Sequence, residues 1–172
     1  MLLMIVEETL LLVISVESPK TYLAAISLLI LYGGNVNSKL ENGDFLLHYA
    51  SQFTNLQVMN LLLTHGTDAN SINFYKTSPM HQLAMNEENE STEVINKSIN
   101  LLAKYEANCD AQDMVGKTPL HYAVDSGNVE IVNCLKKINA NFNSIRDEKG
   151  FSAFEEALLY KKLDIFKTFM LT

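Results

Sequence analysis

Cysteine is nearly missing from this chain, which has only Cys109 and Cys134 in 172 residues. Two thiols cannot form a disulfide framework, nor a zinc site without further ligands. We therefore expect both to be reduced, which points to a reducing compartment, the cytoplasm or the nucleus. Cations are also scarce: 13 Lys and Arg stand against 20 Asp and Glu, a net charge of −7. A phosphate-neutralising surface needs clustered Lys and Arg, so nucleic acid is not an expected partner. No apolar run reaches the roughly 20 residues that a bilayer requires. The greasiest stretch, Met1 to Val16, lacks a basic start, Glu7 and Glu8 interrupt it, and Glu17, Pro19 and Lys20 close it. It reads as a buried helix pair rather than a signal peptide or a membrane span. The motifs G-x-S-x-G, H-E-x-x-H, G-x-G-x-x-G and the phosphate loop are all missing, and we expect no catalytic residue, no metal and no cofactor. Gly116-Lys117-Thr118 shares a fragment with phosphate loops, but the upstream glycine at fixed spacing is not there.

Repetition is what the chain does have. In residues 116–135, Thr118 is placed to cap a helix whose first position is Pro119, where the missing N–H costs nothing. Leu120, Ala123 and Val124 follow, Gly127-Asn128 breaks the helix, and Ile131, Cys134, Leu135 and Ile138 recur on one face of a second. A helix pair of this size cannot bury its apolar side alone, so it must stack on copies of itself. His48, His81 and His121 mark copies 33 and 40 residues apart, with Glu155 in the same slot 34 residues on. Asn37, Asn70, Asp110 and Asn143 give a second register, at spacings of 33, 40 and 33. Both registers put seven extra residues in the third copy.

Thr118-Pro119-Leu120-His121 resembles the T-P-L-H signature that opens an ankyrin repeat, and GGNVN, HGTDAN, EANCD and NANFN resemble its closing segment. The expected fold is all-α: a single domain, residues 1–172, forming an ankyrin-repeat solenoid of about five helix-turn-helix repeats joined by short hairpin-like loops. Approximate repeats are 1–37, 38–70, 71–110, 111–143 and 144–172. The resemblance implies that the histidines make hydrogen bonds between repeats and that the cysteines occupy buried aliphatic slots.

The copies differ in instructive ways. In the first, Ser18-Pro19 is expected to start a helix with Ala25, Leu28, Leu29 and Tyr32 in apolar slots before Gly33-Gly34. In the second, Phe45 and Leu46 replace Thr and Pro, leaving Asp44 as the expected cap. The third carries the insertion, placed within Asn86 to Lys97 and rich in Glu87, Glu88, Glu90 and Glu93. Glu106 stands where glycine usually ends the second helix, a strained choice for a left-handed residue. In the fifth, Phe166, Phe169 and Met170 are expected to leave the last helix partly greasy outside.

Ankyrin repeats bind partner proteins with hairpin tips and the face of the first helix, so the resemblance implies a non-catalytic interaction module, an inhibitor or adaptor. The mapped tips are Lys39, Glu41 and Asn42; Ile72, Phe74 and Tyr75; Gln112, Met114 and Val115; and Ile145, Asp147 and Glu148. The helix-face positions are Tyr49, Gln52 and Phe53; Gln82 and Asn86; and Tyr122, Asp125 and Ser126. The two central tips are apolar and aromatic, the usual composition of an interface anchor. The alternative is that Ile72 and Phe74 fold down on a neighbouring hairpin. The partner is expected to be another protein, with no nucleic acid and no membrane. Short arrays of this kind are similar to IκB-like ankyrin proteins, including viral ones, and to ankyrin inhibitors of cyclin-dependent kinases. An asparagine-rich composition favours a viral or bacterial source, which would place the protein in a host-cell cytosol. A rival role is assembly, by weak self-association of the apolar ends or as part of a larger ankyrin protein.

Overall fold

The computed structural model describes residues 26–28, 30–40, 43–86 and 91–171. The expected N-terminal helix pair, the Ser18-Pro19 start, Ala25, Leu29, Glu41, Asn42, Glu87, Glu88 and Glu90 lie outside the described residues. Among the described residues, after helical positions at 26–28 and 30–31, eight helices with defined bounds run in order: α1 (Leu46–Gln52), α2 (Leu56–Thr64), α3 (Pro79–Ala84), α4 (Thr92–Lys104), α5 (Pro119–Ser126), α6 (Val129–Lys137), α7 (Ala153–Leu159) and α8 (Leu163–Met170). No strand occurs among the described residues. The odd helices pack in one row, α1 on α3 on α5 on α7, and the even helices in a second, α2 on α4 on α6 on α8. Each odd helix also packs on the even helix that follows it. The core is the seam between the rows, where Leu47, Met59, Leu62, Leu83, Leu102, Leu120, Val132 and Leu135 are wholly buried.

Local chemistry starts six of the eight helices, α2 to α7. Pro79 and Pro119 sit in the first turns of α3 and α5, and Asn55 and Asn128 cap α2 and α6 by accepting from Val58 N and Ile131 N. Asp44 does not take over the cap of α1, contrary to expectation. The cap position is Phe45, which has no acceptor on its side chain, and Asp44 Oδ1 accepts instead from Asn73 Nδ2 at 2.7 Å. Thr118 is the cap position of α5 as expected, in a capping box with His121, whose Nδ1 its hydroxyl meets at 2.8 Å. Part of the insertion lengthens α4 to 13 residues, started by Ser91, which accepts from Val94 N.

Three left-handed slots recur along the chain. One follows the helical residues 30–31 and the helices α2, α4 and α6, at Gly33, Gly66, Glu106 and Asn139; one lies in each hairpin, at Gly43, Lys76, Gly116 and Gly150; one separates paired helices, at Thr54, Gly127 and Lys161. Glu106 does adopt φ +61°, and its turn keeps the geometry of the others. The reason lies one copy back. Asn70 Nδ2 donates to Glu106 O at 2.9 Å while Asn70 Oδ1 accepts from Asn108 N at 2.7 Å, so the neighbouring unit clamps the strained turn from both sides.

Two apolar assignments change. Before Gly33 the buried residue is Ile26, with Ile30 partly buried, whereas Leu28 and Tyr32 are exposed. At the other end Phe169 is core rather than greasy surface: it stacks on Phe142 with ring centroids 5.2 Å apart, and Phe166 tilts onto Phe154. Met170 is exposed as expected.

Candidate partner-binding face

The loops entering α3, α5 and α7 are tight hairpins, each braced by one buried side chain. Asn73 Oδ1 accepts from Tyr75 N and Thr77 N, Asp113 Oδ1 from Val115 N and Lys117 N, and Asp147 Oδ1 from Lys149 N and Phe151 N. The main chain closes the same loops, Asn73 N on Thr77 O, Asp113 N on Lys117 O and Asp147 N on Phe151 O. Neighbouring tips are then joined edge to edge, Met114 N donating to Tyr75 O at 3.0 Å and Glu148 N to Val115 O at 2.9 Å. Gly116 makes that approach possible: a Cβ there would lie 3.1 Å from Glu148 N and 3.2 Å from Asp147 Cα. Gln112 adds a side-chain staple, its Nε2 donating to Gly116 O and Arg146 O. Asp147, mapped from the sequence as a variable tip residue, is therefore a buried brace.

The histidines tie the tips to the helices. Nδ1 of His48, His81 and His121 accepts from the backbone N–H of Phe45, Ser78 and Thr118, so the hydrogen resides on Nε2. That Nε2 donates to the carbonyl of Thr77, Lys117 and Phe151 in the following hairpin, at 3.0, 3.1 and 3.1 Å. Burial holds all three imidazoles below the ordinary histidine range, with the backbone bonds opposing it. The expectation of inter-repeat histidine bonds is met residue by residue. Glu155 repeats half of the device, accepting from Ser152 N while Arg146 engages both its oxygens.

Beneath the tips lies a groove of about 340 Å³, walled by Tyr75, Met114 and Val115 from the tips, Gln82 and Tyr122 from α3 and α5, and Met85 just past the end of α3. Its floor is polar. Tyr122 donates to Asp113 Oδ2 at 2.5 Å, and burial followed by that bond pushes the phenol above its ordinary range, keeping it a donor. Lys117 stands beside it, ion-paired with Asp125 and, at 3.2 Å, with the wholly buried Glu156.

Phe74, Tyr75 and Met114 are all more than 60% exposed, with Ile72, Val115, Phe53, Gln52, Gln112 and Asp125 also at the surface. Tyr49, Gln82, Tyr122 and Ser126 are half-buried. Phe74 combines the two alternatives open at the sequence: its ring lies on Gly43, where a Cβ would sit 2.6 Å from it, and under Lys39 Nζ at 4.9 Å, yet most of it meets solvent. Asn86 has to be withdrawn from the face. It is buried, and its Nδ2 donates to Gln52 O at 3.0 Å across two units. Asp113, Lys117 and Met85 were missed by sequence reasoning, although Asn73, Asp113 and Asp147 recur at spacings of 40 and 34 and so carried a signal.

The braced hairpin, the helix pair and the histidine bond to the next hairpin recur as one unit, and a sequence profile of ankyrin repeats, in three copies, matches residues 12–104 and 89–171. The chain belongs to the ankyrin-repeat family. It is 24% identical over 147 residues to a putative ankyrin repeat protein of fowlpox virus (strain NVSL), covering 85% of this chain and 97% of that one. A putative ankyrin repeat protein of Acanthamoeba polyphaga mimivirus is 33% identical over 116 residues, and human inversin 29% over 119. The match spans nearly the whole fowlpox protein but only 14% and 11% of the other two. Ankyrin repeats are a non-catalytic fold that mediates contacts between proteins. Within this ankyrin array the thiols are free, Cys134 buried and Cys109 half-buried, and burial pushes both above the ordinary thiol range. No helix among the described residues is long and apolar enough to cross a membrane.

Proposed function

We propose that this ankyrin protein is an inhibitor or adaptor that captures a partner protein on the concave side, over the second and third tips and the α3–α5 face. The observation that carries this reading is the exposure of Phe74, Tyr75 and Met114 on hairpins that hydrogen bonds hold in register. Rigid aromatic side chains on a pre-organised frame lose little freedom on binding, which is what an interface anchor requires. The groove behind them, with Tyr122 and Gln82, receives the partner's side chains. A viral relative matched over nearly its whole length supports an action on host proteins in the host-cell cytosol, in the manner of IκB-like arrays.

The test is Phe74→Ala with Tyr75→Ala, measured by calorimetry against a partner isolated with the wild-type chain. Both residues are exposed, so the melting temperature is expected to move by less than about 2 °C. Affinity is expected to fall at least tenfold, since truncating a central aromatic typically costs about 2 kcal/mol or more. Unchanged affinity would place the partner elsewhere.

A further inference from the structure

Building on the concave-face reading, we propose that the groove behind the tips is a lysine pocket, which takes one lysine side chain of the captured protein with its ammonium against Asp44 and Asp113. The groove arises from differences between successive units. With His81 and His121 aligned, Thr77 stands in the slot of Lys117 and Met85 in that of Asp125; with His121 and Glu155 aligned, Tyr122 stands in the slot of Glu156. One unit further on, the chain fills that place itself. Lys117 Nζ lies 5.6 Å from the centroid of the Tyr122 ring and pairs with Asp125 and Glu156. In the groove the equivalent lining is Thr77, Met85 and Tyr122. Threonine is shorter than lysine by most of the stem and the charge, and an open volume of about 340 Å³ remains.

The polar groups left in the groove call for a cation. The Thr77 hydroxyl is buried without a hydrogen-bond partner. Asp113 is buried too, and the donors that hold it are all neutral: Val115 N, Lys117 N and the Tyr122 hydroxyl. Asp44, the other charged residue of the lining, is also an acid. Lys117 is engaged with Asp125 and Glu156 instead. An ammonium brings three hydrogens and no acceptor, which matches two carboxylates and a free hydroxyl. Its apolar stem suits the Met85 thioether and the rings of Tyr75 and Tyr122, whose faces also attract a cation. Ligand sites span about 300 to 1,000 Å³, so this one is small, and it fits the compact ammonium better than the broad planar fork of arginine.

The first test needs no partner: amide proton–nitrogen spectra of the full chain are titrated with n-butylammonium, which reproduces the lysine side chain, and with n-butanol, its neutral counterpart. Saturable shifts at the amides of Thr77, Met85 and Tyr122 are expected with n-butylammonium, and n-butanol is expected to bind more weakly by about tenfold or more. Thr77→Lys supplies the occupant from within and is expected to abolish the shifts. Its fold is expected to hold, because Thr77 bonds through its main chain, N–H to Asn73 and carbonyl to His48, and Lys117 makes the same two bonds to Asp113 and His81. Asp113→Asn is the second variant, since Asn73 shows that an amide can brace such a hairpin, and it is expected to weaken the probe about tenfold. Against the isolated partner, Thr77→Lys is expected to lower affinity by about tenfold or more. Absence of saturable shifts, equal shifts from n-butanol, or shifts that survive in folded Thr77→Lys would overturn the pocket. A partner that weakens in Phe74→Ala with Tyr75→Ala but not in folded Thr77→Lys overturns the lysine and leaves the concave face standing; one unaffected by either overturns both.

Discussion

Glu106 and Gly66 occupy one slot in successive units, at φ +61° and +83°, and they separate backbone strain from everything else. A Cβ costs roughly 1 to 2 kcal/mol in the left-handed region, partly offset by the greater freedom of unfolded glycine. Glu106→Gly is therefore expected to stabilise the array by about 0.5 to 1 kcal/mol in urea denaturation. Gly66→Ala should cost about 1 kcal/mol, since its new Cβ meets nothing within 4 Å and only strain is added. The histidines bear on pH. Their folded values lie below the ordinary one near 6.5, so the unfolded chain binds protons first. Their contribution is fully present above about pH 6.5 and is lost as pH falls through the depressed folded values. Urea midpoints are expected to drop between pH 7.5 and 5.5, and the drop should shrink in His81→Gln. A midpoint that rises on acidification in this window would contradict the assignment of Nδ1 as an acceptor.

At the scale of the element, a single carboxylate organises the hairpin that enters α5. Asp113 accepts from Val115 N, Lys117 N and Tyr122 Oη. Hydrogen bonds to a charged acceptor contribute about 1.5 to 3 kcal/mol each, though not additively, so Asp113→Ala is expected to cost about 2 to 4 kcal/mol of stability. The tip carrying Met114 and Val115 should also lose its register with Tyr75 O. Partner affinity is then expected to fall in Asp113→Ala although the proposed contact side chains remain. Conversely, an unaffected affinity in a folded Asp113→Ala protein would show that the tips need no pre-organisation.

Across the whole molecule, stability in a solenoid is a sum of units and the joins between neighbours. The α5–α6 unit has the Pro119 start, the Asn128 cap, the His121 bond and neighbours on both sides. Its amides, from Leu120 to Leu135, are expected to exchange slowest with deuterium, and those of α8 faster because nothing beyond α8 packs on it among the described residues. Slowest exchange in α8 would mean that the C-terminal join, with Phe142, Phe154 and Phe169 stacked, outweighs position in the array.

What the residues alone made legible is whatever depends on neighbours within four or five positions: Pro119 at a helix start, Asn128 as a cap, Gly66 at a helix end, and the period that turned one helix pair into an array. The histidine bonds were legible only through family resemblance, because their acceptors lie 29 to 36 residues away. Tertiary structure alone decided the rest. Asn86 looked like surface until Gln52, 34 residues earlier, presented its carbonyl; Phe169 looked like surface until Phe142 stacked on it; Glu106 looked misplaced in a left-handed slot until Asn70 clamped its turn. In the first two cases the side chain's burial, and in the third the backbone turn, is set by the adjoining unit rather than by its own helix. A stacked array makes that rule general, since every unit has one surface that its own sequence describes and two that its neighbours complete.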